Sequence, residues 1–220
     1  MYHILNNMKT TTLNQLNKLP SFTKNSLRVI TQEPSNTLDI SIKRMLAKNK
    51  LVKLKNGFYT TGSYFEKNGH KSEYKEFIAN TLCNPSYLSL EYVLAKFDIL
   101  TEGVRLFTSV SLKTTRNFEN NLGSFTYQKI KEDLFTGYIE KDFGDNTYFI
   151  ASKAKALFDY LYFFATTNLN KNYNLVEEKR LKLDIFTKND WREFKRYLKL
   201  IGQPKANFIK HQLKSYAPNL

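Results

Sequence analysis

The feature that most constrains this chain is a change of hydrophobic period at Asn49. Upstream, Leu38, Ile42, Met45 and Leu46 fall at i, i+4, i+7 and i+8, which is one face of a helix. Downstream, Leu51, Val52 and Leu54 form a short extended run, Lys55-Asn56-Gly57 supplies turn residues that accept positive φ, and Phe58-Tyr59-Thr60 returns. Ser35, after Pro34, is the expected N-cap, and Asn49 the expected left-handed stop. A helix running directly into a small basic hairpin is the plan of a winged helix-turn-helix, the helix entering the major groove and the hairpin flanking it. Taken alone, the helix also reads as an ordinary amphipathic helix with a solvated polar face. Its outward residues are Asn36, Thr37, Asp39, Ser41, Lys43, Arg44 and Lys48, and the hairpin adds Lys50, Lys53 and Lys55. These include side chains that read base edges and bind phosphate.

Charge supports a polyanionic partner. The 220 residues carry a formal net charge of +14, which points to nucleic acid before an anionic membrane surface or an acidic protein. The charge is uneven. Residues 1–60 have ten Lys and Arg against two Asp and Glu, residues 61–168 twelve against thirteen, and residues 169–220 twelve against five. Two basic ends around a neutral middle suggest two separate contact surfaces. A hydrophobic fraction of 41% is enough for packed cores, so the chain is not of the disordered class. No apolar run approaches the roughly 18–20 residues of a membrane helix, so no membrane partner is expected. Cys83 is the single cysteine, which excludes an intrachain disulfide and fits a cytoplasmic setting.

Three regions are expected in an α+β chain. Residues 1–62 read as the winged helix-turn-helix: helices over Thr12–Leu19 (stopped by Pro20) and Lys24–Ile30, the latter capped by Thr23, then the helix and hairpin already described. Gly62 to Gly69 reads as a linker. Residues 70–166 read as an α+β domain with a small, mostly antiparallel sheet. It comprises helices over Ser72–Cys83 and from Ser89, as its cap, to Phe97, then a half-buried strand in which Leu106, Thr108, Val110 and Leu112 alternate with Phe107, Ser109 and Ser111. Two hairpins follow, turning at Leu122-Gly123 and at Gly144-Asp145-Asn146, and then a helix capped by Ser152. Residues 167–220 read as a basic helical extension packed on the second domain. An Asn-rich loop over Asn168–Asn174 opens it. A helix capped by Thr187 or Asn189 follows, with Trp191, Phe194, Leu198 and Ile201 inward, and Gly202 ends it. A last helix is expected over Ala206–Tyr216. Arg192, Lys195, Arg196 and Lys199 share one face by helical spacing, a second candidate for DNA phosphate contact.

Catalytic chemistry finds little support. His3, His70 and His211 lie far apart without companions at metal-ligand spacing, and Cys83 sits on an apolar helix face. No phosphate-cradling or nucleophile-elbow motif is present. Asp142 and Asp145 with Lys141 are the acids that could serve a metal-dependent nuclease, although an Asp- and Gly-rich turn accounts for them as well. No catalytic residue, metal or cofactor is therefore expected. A non-catalytic interaction module remains the other alternative.

Several phrases from Pro85 to Phe163 stand in a characteristic order. They are Pro85-Ser86-Tyr87-Leu88-Ser89-Leu90-Glu91, Phe107-Thr108-Ser109-Val110 with Arg116 and Phe118, Leu122-Gly123-Ser124-Phe125-Thr126-Tyr127, Leu134-Phe135-x-Gly137-Tyr138, and Ile150-Ala151-Ser152-x-x-Lys155-Ala156-Leu157-x-Asp159-x-Leu161-Tyr162. In these the chain resembles the AbiEi antitoxins of bacterial AbiE-type (type IV) toxin–antitoxin systems. Upstream, Leu51-Val52-Lys53-Leu54-x-x-Gly57-x-Tyr59 resembles the N-terminal domain of that family. The resemblance covers most of residues 12–165. It implies an N-terminal domain that binds and represses its own operator, and a second domain that counteracts a nucleotidyltransferase-fold toxin without a required direct complex. It implies no catalytic residue and no cofactor. Asp39 stands where a basic residue would help phosphate binding, which leaves the DNA register open. Ser109, Arg116, Thr126 and Tyr127 are the family-motif candidates in the second domain, and a cross-strand Thr or Tyr also often only satisfies a sheet.

Overall fold

The computed structural model describes residues 10–167 and 173–217. The chain is α+β and divides into two compact units, Met1–Ile78 with Phe118–Leu122, and Ala79–Asn117 with Gly123–Leu220.

The N-terminal unit runs α1 (Thr10–Leu16), β1 (Phe22–Thr23), α2 (Lys24–Thr31), α3 (Ser35–Ala47), β2 (Leu51–Lys55), β3 (Phe58–Thr61) and α4 (Gly62–Asn68), and ends inside α5 (Ser72–Leu82). The strands form an antiparallel sheet in the order β1-β3-β2. Leu16, Phe22, Leu27, Leu38, Ile42, Met45, Leu51 and Tyr59 are buried in one cluster, to which every helix from α1 to α3 contributes. Each such side chain contributes roughly 1.5–3 kcal/mol on burial. Thr23 caps α2 as expected, accepting from the Ser26 N–H at 3.0 Å. At α3 the cap lies one residue earlier than expected. The Pro34 carbonyl already accepts from the Leu38 N–H, so Ser35 is the first helical residue and its hydroxyl caps nothing. Asn49 takes φ +53°, the left-handed conformation expected after α3. The hairpin turns at Asn56-Gly57, where φ +71° at Gly57 requires glycine or a close substitute. A bulge at Leu54 shifts the β2–β3 register between Lys53 and Lys55.

Three expectations change here. Helix α1 starts and ends earlier than Thr12–Leu19. The two-residue β1 is too short to give a periodic signal. The expected linker Gly62–Gly69 is helix α4: Thr61 caps it by accepting from the Tyr64 N–H at 3.2 Å, so Gly62 sits inside the helix rather than breaking it.

The C-terminal unit holds β4 (Ser86–Leu88), α6 (Leu90–Lys96), β5 (Leu106–Ser111), the first two residues of β6 (Arg116–Asn120), β7 (Gly123–Lys129), a 3-10 turn (Glu132–Leu134), β8 (Tyr138–Phe143), β9 (Asn146–Ala151), α7 (Lys153–Thr167), α8 (Leu175–Glu178), α9 (Lys188–Leu198) and α10 (Gln203–Gln212). The six strands form one sheet in the order β6-β7-β5-β4-β9-β8. The sheet is mixed: β5 pairs β7 and β4 pairs β9 in parallel, while β4–β5 and β8–β9 are antiparallel. Period-two alternation identifies a strand but carries no information on the direction of its partner. Strand β5, expected to be half-buried, is buried from Phe107 to Ser111 because it lies between β4 and β7 with α6 packed against it. Helix α7 packs on α6, α9 and α10. Its buried residues run from Ala154 through Asp159, an almost continuous stretch, which is what packing on several sides requires. Gly202 does not cap α9 in a left-handed conformation; it is the extended N-cap of α10, which begins three residues before the expected Ala206. The expected loop Asn168–Asn174 falls mostly outside the described residues. Among the described residues no helix is long and apolar enough to cross a membrane.

Candidate functional site

Helix α3 turns Leu38, Ile42 and Met45 into the core, and its opposite face carries Asn36, Thr37, Ile40, Lys43, Arg44 and Lys48, all exposed, with Ser41 half-buried beside them. The one carboxylate of this helix, Asp39, is engaged by Lys24 of α2, Nζ to Oδ1 at 2.5 Å. Both side chains are partly exposed, so the pair adds at most about 1 kcal/mol. Its importance is positional, since it neutralises the acid that stood out in the sequence. On β2, Lys53 is exposed, whereas Lys55 is half-buried with its ammonium 5.5 Å from the rings of Phe58 and Phe118. Lys55 ends β2 opposite Phe58, next to the Asn56-Gly57 turn, and its ammonium is held over these rings. Asn120 secures this region by donating from Nδ2 to the Leu54 carbonyl at 2.9 Å. The residues of this unit, 1–78 and 118–122, contain thirteen Lys and Arg against six Asp and Glu.

A second basic surface lies on α9. Thr187 caps it, not Asn189: the Thr187 hydroxyl accepts from the Asp190 N–H at 3.2 Å, and Asp190 Oδ2 accepts from the Thr187 N–H at 2.7 Å. Arg192, Lys195, Arg196 and Lys199 are all exposed. The two acids nearby face away from them. Asp190 pairs with Lys153 at 2.8 Å, and Glu193 Oε1 accepts from the Ser152 hydroxyl at 2.6 Å and the Tyr197 hydroxyl at 2.5 Å. Burial tends to raise the Asp190 carboxyl, but hydrogen bonds from Lys153 and Thr187 hold it below the usual value. A depressed carboxylate stabilises the fold fully above its unfolded pKa of about 4 and loses that contribution as pH falls through the folded value. Asp190→Asn should therefore flatten this part of the acid-unfolding curve and cost about 1 kcal/mol at pH 7, the size of a lost cap. Thermal melts from pH 7 to pH 3 check this; unchanged pH dependence in the variant would refute it.

The most unusual chemistry is buried. Lys155 and Asp159, one turn apart on α7, have fully buried side chains and pair at 2.5 Å. Asp159 Oδ2 also accepts from the hydroxyls of Ser89 at 2.7 Å and Tyr87 at 3.0 Å. The Lys155 ammonium lies 4.9–5.6 Å from the ring centroids of Phe158, Tyr197 and Tyr87. Burial pushes the Asp159 carboxyl up, against the opposing pull of Lys155, Ser89 and Tyr87. Ser89 is therefore diverted from the capping role expected of it. Thr108 on β5 caps α6 in its place, accepting from the Tyr92 N–H at 3.0 Å and donating to the Ser89 carbonyl at 2.7 Å. With no exposed side chain in either ion, this network ties α7 to β4 and α6 and offers no approach to a ligand. In the sequence, Lys155 and Asp159 form an opposite-charge i, i+4 pair inside an otherwise apolar stretch, which is the local signal of this network.

The motif residues are spread out. Ser109 and Tyr127 are register partners on β5 and β7, and both are buried. The Tyr127 hydroxyl donates to the Ala79 carbonyl at 2.6 Å, while among the described residues the Ser109 hydroxyl has no hydrogen-bond partner. Thr126 points to the opposite face of the sheet by strand alternation. Arg116 binds Thr114, through Nε to the carbonyl at 3.0 Å and Nη2 to the hydroxyl at 2.7 Å. Asp142 lies on β8 and Asp145 in the exposed β8–β9 turn, and Lys141 precedes Asp142 on the strand, so the two project to opposite faces. Among the described residues, no group of three or more His, Cys, Asp or Glu side chains is assembled to hold a metal ion. No protein-family profile matches the chain, and no curated protein matches it in sequence.

Proposed function

We propose that the N-terminal unit is a winged helix that binds double-stranded DNA, and that the protein is a cytoplasmic repressor of its own operator. One observation carries this reading: the polar face of α3, bearing Asn36, Thr37, Lys43, Arg44 and Lys48, is turned wholly outward next to the exposed Lys53 of an adjoining hairpin. The element order helix–strand–helix–helix–strand–strand supports the same reading. Fluorescence anisotropy with the DNA flanking its own reading frame tests it. Replacing Asn36 or Arg44 by Ala should change specificity by about 1–3 kcal/mol, while Lys43→Ala or Lys53→Ala should weaken all duplexes alike. Equal affinity for the flanking DNA and a scrambled duplex across a salt series would remove the repressor reading.

The α9 surface serves in this proposal as a second phosphate contact, supported by four exposed cations whose neighbouring acids are engaged elsewhere. Charge reversal of Arg192, Arg196 and Lys199 to Glu spares the packed Phe194 and Leu198. It should lower the magnitude of the log–log salt slope by about 0.9 per phosphate lost. An unchanged slope in the folded triple variant would assign this surface to something else.

The resemblance to AbiEi antitoxins extends the proposal to the C-terminal unit, which would oppose a nucleotidyltransferase-fold toxin, with or without a direct complex. Co-expression with such a toxin encoded beside it tests this, and continued growth arrest would count against it. The nuclease alternative rests on Asp142, Asp145 and Lys141. Strand alternation separates the Lys from Asp142, so the non-catalytic reading is preferred.

A further inference from the structure

Ile40 is a large aliphatic side chain, 53% exposed, in the middle of the polar face of α3. A single exposed apolar residue is ordinary on a protein surface, but the position of this one is specific. Asn36, Ile40 and Arg44 follow one another at one turn each, and the stripe spans about 12 Å along the helix. Nothing in the core uses Ile40: Leu38, Ile42 and Met45 supply the buried face of the helix. The neighbouring acid Asp39 is engaged by Lys24, so the surface beside Ile40 does not repel an approaching polyanion. Of the groups that line the floor of the major groove, the 5-methyl of thymine is the one that an aliphatic side chain recognises, whereas Asn pairs with adenine and Arg with guanine.

We infer that Ile40 is a specificity-determining residue that packs on the 5-methyl group of a thymine in the bound duplex. The inference rests on the DNA-binding reading of α3 and adds to it a residue and a ligand chemistry. Burying one methyl-sized group corresponds to about fourfold in affinity.

The experiment selects a duplex from a random-sequence pool with the full chain, then replaces each thymine of that duplex in turn by deoxyuridine, which lacks only the methyl. One replacement should weaken binding by the wild-type protein about fourfold. Ile40→Ala should bind the thymine duplex about fourfold more weakly and show no further loss with uracil at that position, because the two changes remove the same contact. Its exposed position predicts an unchanged melting curve, which confirms that the variant is folded. If no single deoxyuridine matters, or if Ile40→Ala loses the same factor on both duplexes, the inference fails while DNA binding stands. If no duplex is retained at low salt, the DNA-binding reading fails as well.

Discussion

Asp159→Asn should destabilise the C-terminal unit by about 3–5 kcal/mol, the cost of leaving a buried ammonium without its counter-ion. Lys155 is fully buried and cannot reach water without unpacking α7. The rings of Phe158, Tyr197 and Tyr87 offset part of the loss, each contributing up to about 2 kcal/mol to a desolvated cation, but they do not supply a charge. The double variant Lys155→Met/Asp159→Asn should recover most of the loss, because it removes both charges and leaves an amide oxygen to accept from Ser89 and Tyr87. Trp191 is the single tryptophan of the chain and lies in the C-terminal unit, 4.7 Å from the Phe186 ring, so its fluorescence in urea reports on that unit alone. With a slope of about 1–3 kcal/mol per molar, the single variant should lower the midpoint by roughly 2 M. A shift below about 0.5 M, or a double variant no better than the single one, would show that the pair does not hold the unit together.

The second large effect is expected at Gly137. Its φ is +78°, and a Cβ there would collide with the Tyr197 hydroxyl and lie 3.0 Å from Lys155 Cδ. Its carbonyl accepts from the Ser152 N–H at 2.9 Å, so the backbone cannot swing away without freeing the start of α7. Gly137→Ala therefore combines left-handed strain with overpacking against a buried ion, and should cost about 3 kcal/mol. Gly144 provides the comparison. Its φ is +59°, but among the described residues no atom lies within 4 Å of the added Cβ. Gly144→Ala should cost only about 1 kcal/mol, the strain alone. Equal midpoints for the two variants would mean that crowding around Lys155 is not what fixes Gly137.

Local signals and their absence explain what the sequence revealed. The Leu38–Ile42–Met45 face and the Asn49 stop are local, and α3 and its hairpin follow them closely. The hairpin turns at Gly57 and Gly144 are legible for the same reason. Pairing direction in the large sheet is not local, so the parallel β5–β7 and β4–β9 pairs left no trace in any single strand. Helix α4 was hidden because glycines at both its ends resemble linker punctuation. Ser89 was misread because capping and ion solvation ask for the same hydroxyl, and only the fold decides which partner arrives. At α3, Ile40 gives no local signal of its own, because a single exposed aliphatic side chain is ordinary on a helix surface.

Strand β8 is one of the two edges of the large sheet, with β9 as its sheet neighbour. Such an edge invites a second copy of itself. In a two-fold antiparallel pairing, residues whose backbone groups point outward must meet their like, so one residue faces its own copy. The two registers of longest overlap centre on Glu140 or Lys141. The first sets Glu140 against Glu140; the second sets Lys141 against Lys141 and Glu140 against Asp142. Either arrangement opposes like charges at close range, which disfavours the pairing. The charges of β8 therefore disfavour edge-to-edge dimerisation at high protein concentration, and Lys141→Ile with Glu140→Thr would remove that barrier.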